Sequence, residues 1–309
     1  MIEYHKKCLL CESEKIEPIE GYERHYLVKC KNCDFVFIRR IPTLQELNDY
    51  YEHYASAHYL SPITVMRYHE LLDEFEKYRK TGKILDVGCG IGLFLNIAKE
   101  RGWEVYGTEF SADAIKICKE KGITMHGGIL DSDNYEEEMF DVITSFEVIE
   151  HINNPLEETA HIQKILRKGG LFYCTTPNFN SLMRYYLKAD YNVIEYPEHL
   201  SYYTSKTLTF LMNKFGFKKQ KVLTTGISIT RFKGSQDSKK EKESKEEPKK
   251  QEENEKVVGE ALVKADSADE ILRNKIESNP VLQLGKKVAN GMLNITNTGL
   301  TLKGYYTKK

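Results

Sequence analysis

Short apolar runs alternating with amphipathic stretches dominate the chain from residue 83 onward. Ile84, Leu85 and Val87 make a compact apolar strand, and Trp103 to Thr108 a second. The runs from Phe140 and from Leu166 supply two more, with a helix between them. That helix has Asn154 as N-cap, Pro155 at its first position and Glu157 and Glu158 in its first turn; Gly169-Gly170 follows Lys164, Arg167 and Lys168 as its stop. A further helix is expected over Ser205 to Phe215. Phe217 to Thr230 and Gly299 to Thr307 alternate apolar with polar and read as late strands, the second preceded by an amphipathic helix around Val281 to Leu293. Strands alternating with helices predict an α/β fold with a largely parallel sheet.

The segment 233–256 breaks this rhythm, because it holds balanced lysine and glutamate and no large apolar residue. It is expected to be disordered or a solvated helix. Before the sheet, 44–59 and 68–80 carry helical patterns crowded with tyrosine and phenylalanine, which suit a cap over a ligand site; any single ring more readily cements helix to sheet. At 309 residues the chain can bury a full core. Its 45 basic and 46 acidic side chains nearly cancel, so no global field attracts nucleic acid. No apolar run reaches the roughly 18 residues of a membrane span, and a cytoplasmic protein is expected.

Seven cysteines divide into two sets. Cys8, Cys11, Cys30 and Cys33 form two C-x2-C knuckles, while Cys89, Cys118 and Cys174 are scattered through predicted elements. Paired knuckles bring four thiolates onto one zinc ion and close a tetrahedral structural site with no open position. Three further cysteines imply a reducing compartment, which disfavours disulfides. Zinc ribbons often touch nucleic acid, yet residues 1–40 carry eight basic against seven acidic side chains, and the ribbon is expected to be a lid or platform over an active site instead.

Chemistry concentrates where the first core strand ends. Asp86-Val87-Gly88-Cys89-Gly90-Ile91-Gly92 places three glycines where backbone must turn and approach a ligand, with Leu93 where a dinucleotide-binding loop has its last glycine. A carboxylate at Asp86 repels a pyrophosphate but attracts a sulfonium, and Glu109, ending the second strand, suits a pair of ribose hydroxyls. The expected cofactor is S-adenosylmethionine. In this order the blocks resemble a class I S-adenosylmethionine-dependent methyltransferase from about Lys83 to the C-terminus, of the type with an N-terminal four-cysteine zinc module that is linked to sugar or surface-polysaccharide modification. The resemblance implies a Rossmann-like seven-stranded doubly wound sheet whose last strand is antiparallel. It implies that Asp86, Gly88, Gly90 and Gly92 hold the methionine portion and Glu109 the ribose. The stretch Ile129 to Asp131 would take the adenine, although Gly127 to Asp131 lacks the family's usual Gly-Asp pair; Phe110, Leu130 and Phe146 complete the cofactor contacts. It also implies that the late strands form one hairpin interrupted by the charged segment. The expected units are a ribbon (1–40), a helical cap (41–80), a core (81–232), a charged insertion (233–260) and the closing helix and strand (261–309).

Two constellations are candidates for the transfer itself. Glu147, Glu150 and His151 would share a face if the chain turns helical there. The Glu-Val-Ile-Glu-His run resembles quinone-pathway O-methyltransferases, where such groups bind metal. The other is Glu195 to Thr204, whose Pro-Glu-His-Leu run resembles sugar-, glycan- and lipid-modifying relatives and makes His199 the first candidate for general base, with a helix cap or a backbone carbonyl as the alternative role for its ring. A small-molecule or glycan-linked acceptor is expected. A quinone-type phenol, an RNA acceptor and an inactive binding protein are the alternatives, and nothing in the sequence fixes the oligomeric state.

Overall fold

A computed structural model describes residues 2–43, 45–47, 61–226 and 268–309. The cap helix expected over 44–59 lies almost wholly outside these residues, and the charged stretch 233–260 lies entirely outside them.

The central sheet has seven strands: β6 (Lys83–Val87), β7 (Glu104–Glu109), β8 (Thr124–Gly127), β9 (Phe140–Phe146), β10 (Leu166–Pro177), β12 (Phe217–Thr225) and β13 (Thr301–Lys308). Their order is β12-β13-β10-β9-β6-β7-β8. β6 pairs in parallel with β7 and β9, and β13 runs antiparallel between β10 and β12. This is the expected Rossmann-like methyltransferase sheet, and its last two strands pair across a long sequence gap. Four of the five β6 residues are buried, as a strand covered on both faces requires.

On one face, α1 (Pro62–Glu76) and α2 (Leu93–Glu100) bury Leu72, Phe75, Phe94 and Leu95 against Ile84, Val142 and Tyr173. On the other, α4 (Pro155–Ile165) and α6 (Ser205–Lys214) bury Ile162, Ile165, Leu208 and Leu211 against Phe140 and Phe172. Between these lie α3 (Ala112–Glu120) and α5 (Leu182–Leu187), and α7 (Ala268–Glu277) and α8 (Pro280–Thr296) precede β13. Helix starts follow their sequence signals: Ser61 accepts from the Thr64 amide ahead of Pro62, and Thr204 and Thr207 form a capping box.

Two boundaries differ from expectation: the helix expected over 68–80 runs Pro62–Glu76, because Ser61 caps it and Pro62 opens it, and α4 ends before its expected stop. Gly169-Gly170 does not stop α4; the helix ends at Ile165 and the chain enters β10 at once, with irregular register between Leu166 and Leu171. The cause is Arg167, whose guanidinium turns inward onto the fully buried Asp141 carboxylate. That carboxylate also accepts from the Lys80, Thr81 and Gly82 amides at 2.7 Å each. A Cβ at position 170 would lie 2.9 Å from the Arg167 carbonyl oxygen, so the bend needs glycine there.

The ribbon comprises β1 (Glu3–Tyr4), β2 (Ile16–Pro18), β3 (Leu27–Cys30), β4 (Val36–Ile38) and β5 (Arg40–Ile41). It does not stand apart: Leu10, Val28, Phe35 and Phe37 belong to the same buried cluster as Phe140 and Leu208. A short strand of the core, β11 (Ser201–Tyr202), joins its sheet in the order β11-β4-β3-β2. Among the described residues no helix is long and apolar enough to cross a membrane.

Candidate active site

The first half of the site lies at the carboxyl ends of β6 and β7. Gly88, Gly90 and Gly92 all take positive φ (67°, 53° and 72°), but their surroundings differ. A Cβ on Gly92 would come within 2.5 Å of Ile123 Cδ1, and one on Gly88 within 2.6 Å of Val148 Cγ2. Around Gly90 nothing lies within 4 Å of that position, so this is the side from which a ligand can reach main chain. The Gly90 amide donates to Glu109 Oε2 (2.9 Å), and the Phe110 and Ser111 amides donate to Oε1 (2.7 and 3.1 Å). Glu109 thereby ties the glycine loop to the end of β7.

Asp86 is buried inside β6 and accepts from Thr144 Oγ1 at 2.7 Å. Burial, reinforced by the Glu109 charge, pushes its carboxyl up to about 7 against the single hydrogen bond that favours ionisation. The Phe110 ring is 72% exposed and Ile129 62% exposed, beyond the ends of β7 and β8. Leu130 is buried in the core, so its side chain serves packing and only its backbone is left for a ligand. Phe146 closes β9 within an aromatic group of Tyr68, Phe94 and Tyr173.

The second half follows β9. Residues 147–151 form a turn and not the helix whose single face would carry Glu147, Glu150 and His151, because Glu147 takes φ +51° while its amide donates to the Thr175 carbonyl (3.1 Å). The turn leaves Glu147 out of the cluster and brings Glu150 and His151 to His199. The ligand atoms of these three lie within 4.8 Å of one another, and the two imidazoles meet edge to face at 4.8 Å. His151 Nδ1 is 2.7 Å from the Glu198 carbonyl oxygen, and His199 Nδ1 is 2.6 Å from that of Val193. A carbonyl only accepts, so each Nδ1 carries a proton, and a ring in its neutral form has its lone pair on Nε2. Burial and the neighbouring His199 charge hold His151 down at about 4, so it is neutral at physiological pH. Val148, packed on Gly88, joins this turn to the cofactor loop.

The third group is the cysteine cluster. Cys8 Sγ lies 3.5 Å from Cys33 Sγ, and Cys11 Sγ 3.5 Å from Cys30 Sγ, with all four within 4.8 Å. A tetrahedral zinc–thiolate site with bonds near 2.3 Å has sulfurs about 3.8 Å apart, so the cluster fits such an ion. The Leu10 and Asn32 amides point at Cys8 and Cys30 Sγ (3.5 and 3.4 Å), which suits thiolate charge.

The family model for a methyltransferase domain matches residues 52–222, over half of the chain. This chain belongs to that methyltransferase family. The ubiquinone biosynthesis O-methyltransferase of Ruegeria sp. (strain TM1040) is 30% identical over 123 residues, covering 36% of this chain and 50% of the relative. The protein of the same name from Azoarcus sp. is 33% identical over 106 residues, covering 32% and 45%. The chain thus spans about half the length of the curated relatives it matches. Among solved structures, a Galdieria sulphuraria protein assigned as a sarcosine dimethylglycine methyltransferase aligns over 86% of this chain and 98% of its own, with a TM-score of 0.50 at 12% identity, a likeness of fold.

Within the methyltransferase domain, the two constellations that the sequence presents separately, one after β9 and one before α6, meet in one cluster of Glu150, His151 and His199, from which Glu147 is absent. The sequence predicts the ribbon as a lid or platform over the site but marks none of the residues through which it reaches the His199 loop. Arg40 stacks between Tyr26 (5.3 Å) and Tyr196 (4.9 Å), and Glu46 pairs with Arg40 at 2.6 Å and accepts from Tyr196 Oη at 3.1 Å. The one available signal was the short apolar and aromatic run Leu200 to Tyr203 immediately before the Thr204 cap, a strand pattern with no partner in the expected core.

Proposed function

We propose that this chain transfers the methyl group of S-adenosylmethionine to a hydroxyl oxygen of a small-molecule acceptor of phenol type. The observation that carries it is the pair of imidazoles with Nδ1 fixed on backbone carbonyls and Nε2 presented beside a turn that packs on the glycine loop. The names of the curated relatives favour a phenol over the sugar acceptor expected from the Pro-Glu-His-Leu run, and that run still supplies the base.

In this reading the Gly88 to Gly92 loop and Asp86 take the methionine end, Glu109 the ribose, and Phe110 with the Ile129 to Asp131 backbone the adenine. The acceptor hydroxyl gives its proton to His199 Nε2 as its oxygen forms the new C–O bond. The methyl–sulfur bond breaks in line, and the sulfonium leaves as a neutral thioether. Glu150, buried beside both rings, stabilises the imidazolium that forms, while His151 stays neutral and orients the acceptor. The resemblance to quinone-pathway enzymes implies a divalent cation; Glu150, His151 and His199 are the donors that fit one, and with it bound His199 Nε2 would be a ligand in place of a base, the cation lowering the pKa of the acceptor hydroxyl instead. Zinc in the four-cysteine cluster serves structure, and the ribbon, cap, core and closing segment act as units of one small-molecule enzyme.

The test is incubation with S-adenosylmethionine and two acceptor sets, catechol-type phenols and nucleotide sugars, with S-adenosylhomocysteine and methylated product read by mass spectrometry. Product from the phenols is expected. Product from the sugars alone would replace the phenol with the sugar reading, and cofactor binding without any product would make the chain a binding protein.

A further inference from the structure

The last strand of the ribbon sheet does not belong to the ribbon. Ser201 and Tyr202 pair antiparallel with Phe37 and Val36, and the Ile38 amide donates to the Leu200 carbonyl at 2.9 Å. Leu200 and Ser201 donate in turn to the Glu150 carbonyl (2.8 and 2.9 Å), so the residues just after His199 are clamped between the ribbon and the site turn. The segment before His199 is held from the same side. Val193 and Ile194 are buried against Leu27, Val36 and Ile38, and Tyr196 sits on Arg40. Val193 is the residue whose carbonyl fixes the His199 ring. Both supports lead back to the β3–β4 hairpin, which Cys30 and Cys33 close.

We infer that the four-cysteine cluster is a positioning element for His199: a metal ion on its four thiolates keeps the β3–β4 hairpin in place, and that hairpin aligns the His199 loop while pairing with no strand of the cofactor half. Without the cation Cys30 and Cys33 revert to thiols, since burial raises Cys30 and the Cys8 hydrogen bond raises Cys33, and nothing then ties the two knuckles to one centre. The hairpin is therefore the part most sensitive to metal loss. Among the described residues the ribbon strands lie in different sheets from β6 and β7, on which the cofactor half is built, and the two meet only as members of one buried apolar cluster. The catalytic consequence rests on the function proposed above; the structural coupling does not.

Hydrogen exchange on the full chain, before and after zinc removal by a chelator and again after zinc is restored, tests this. Removal should speed exchange of the 195–203 amides about tenfold or more, restoration should reverse it, and the 84–92 and 104–109 amides and the S-adenosylmethionine Kd should hold within about twofold. Unchanged protection of 195–203 without metal would overturn the inference, including the case of a protein purified metal-free with that stretch already protected. Equal loss of protection in β6 and β7 would also overturn it, by making the ribbon a general support of the fold. Should the metal-free protein precipitate, Arg40→Met in the zinc-loaded chain should speed exchange of 195–199 about threefold and lower kcat on a catechol at constant KM for the cofactor. Arg40→Lys should recover part of both, because it keeps a cation over Tyr196. No change in Arg40→Met would count against the inference. An exchange response as expected, with no methyl transfer to any acceptor, would sink the proposed function and leave the coupling standing.

Discussion

The two halves of the proposed site are assembled in opposite ways. The cofactor half is made within one stretch of chain: β6, the glycine loop and β7 are consecutive, and the Glu109 carboxylate binds amides of its own neighbours and of the loop. The acceptor half draws on the turn after β9, the loop before β11 and the ribbon, whose residues lie tens to well over a hundred positions apart. A half built locally keeps its geometry as long as the sheet survives. A half built from distant pieces depends on every interface between them, and so is the place where a separate module can decide whether the groups are aligned.

The largest effect that sharpens this contrast should come from His199→Ala. Removing the base should cost turnover about 10²–10⁴-fold while leaving the S-adenosylmethionine Kd within about twofold, because no cofactor-half residue depends on the imidazole. Calorimetry and product formation on one preparation would check both numbers. Retention of turnover would move the proton to another group and remove the reason for the precise hold on Val193.

The same contrast explains what the sequence made legible. Glycines at 88, 90 and 92 announce a turn, because only glycine holds positive φ without strain, and Glu109 is found by counting to the end of the next strand. Periodicity marked six of the seven strands, including the closing one at 299–307 despite the gap before it, while the short β8 (Thr124–Gly127) left no such signal and the seven-stranded sheet came from the resemblance. The acceptor half was readable only as separate candidates. Whether Glu147 or His199 joins Glu150 and His151 turns on one positive φ at Glu147 and on a hydrogen bond to Thr175 in another strand, neither of which has a local sequence signal. The β11–β4 pairing left only the faint signal of the run Leu200 to Tyr203, because two paired residues are too few to show a period.

A smaller effect separates the glycines themselves. Gly92→Ala forces a Cβ to within 2.5 Å of Ile123 Cδ1 and 2.9 Å of Cys118 Sγ, on a backbone of φ +72°. Strain and overpacking together should cost about 2–4 kcal/mol in urea unfolding. Gly90→Ala meets open space and should cost only the conformational strain, about 1–2 kcal/mol, with its main effect on cofactor affinity. Equal destabilisation by the two would mean that the loop is not open at Gly90, and the approach assigned to the cofactor would have to move.

The smallest effect is one of pH, and it tests whether Asp86 faces a cation at all. Its carboxyl is raised by burial from an ordinary carboxylate to about 7, so in the cofactor-free protein it is protonated below neutrality and ionised above it. The raised value favours the protonated apo form, and apo stability from this group is lost as pH rises through 7. A bound sulfonium or ammonium reverses the preference by stabilising the carboxylate. Affinity should therefore rise about tenfold from pH 6 to pH 8 and level off beyond, because below 7 binding must first expel the proton. Asp86→Asn should bind weakly with a flat profile over that interval. His151, held near 4, stays neutral throughout and adds no slope. A wild-type profile as flat as that of the variant would show that the carboxylate senses no positive charge on binding, and Asp86 would then be a strand residue satisfied by Thr144 alone, with the sulfonium held by the Gly90 backbone and Glu109.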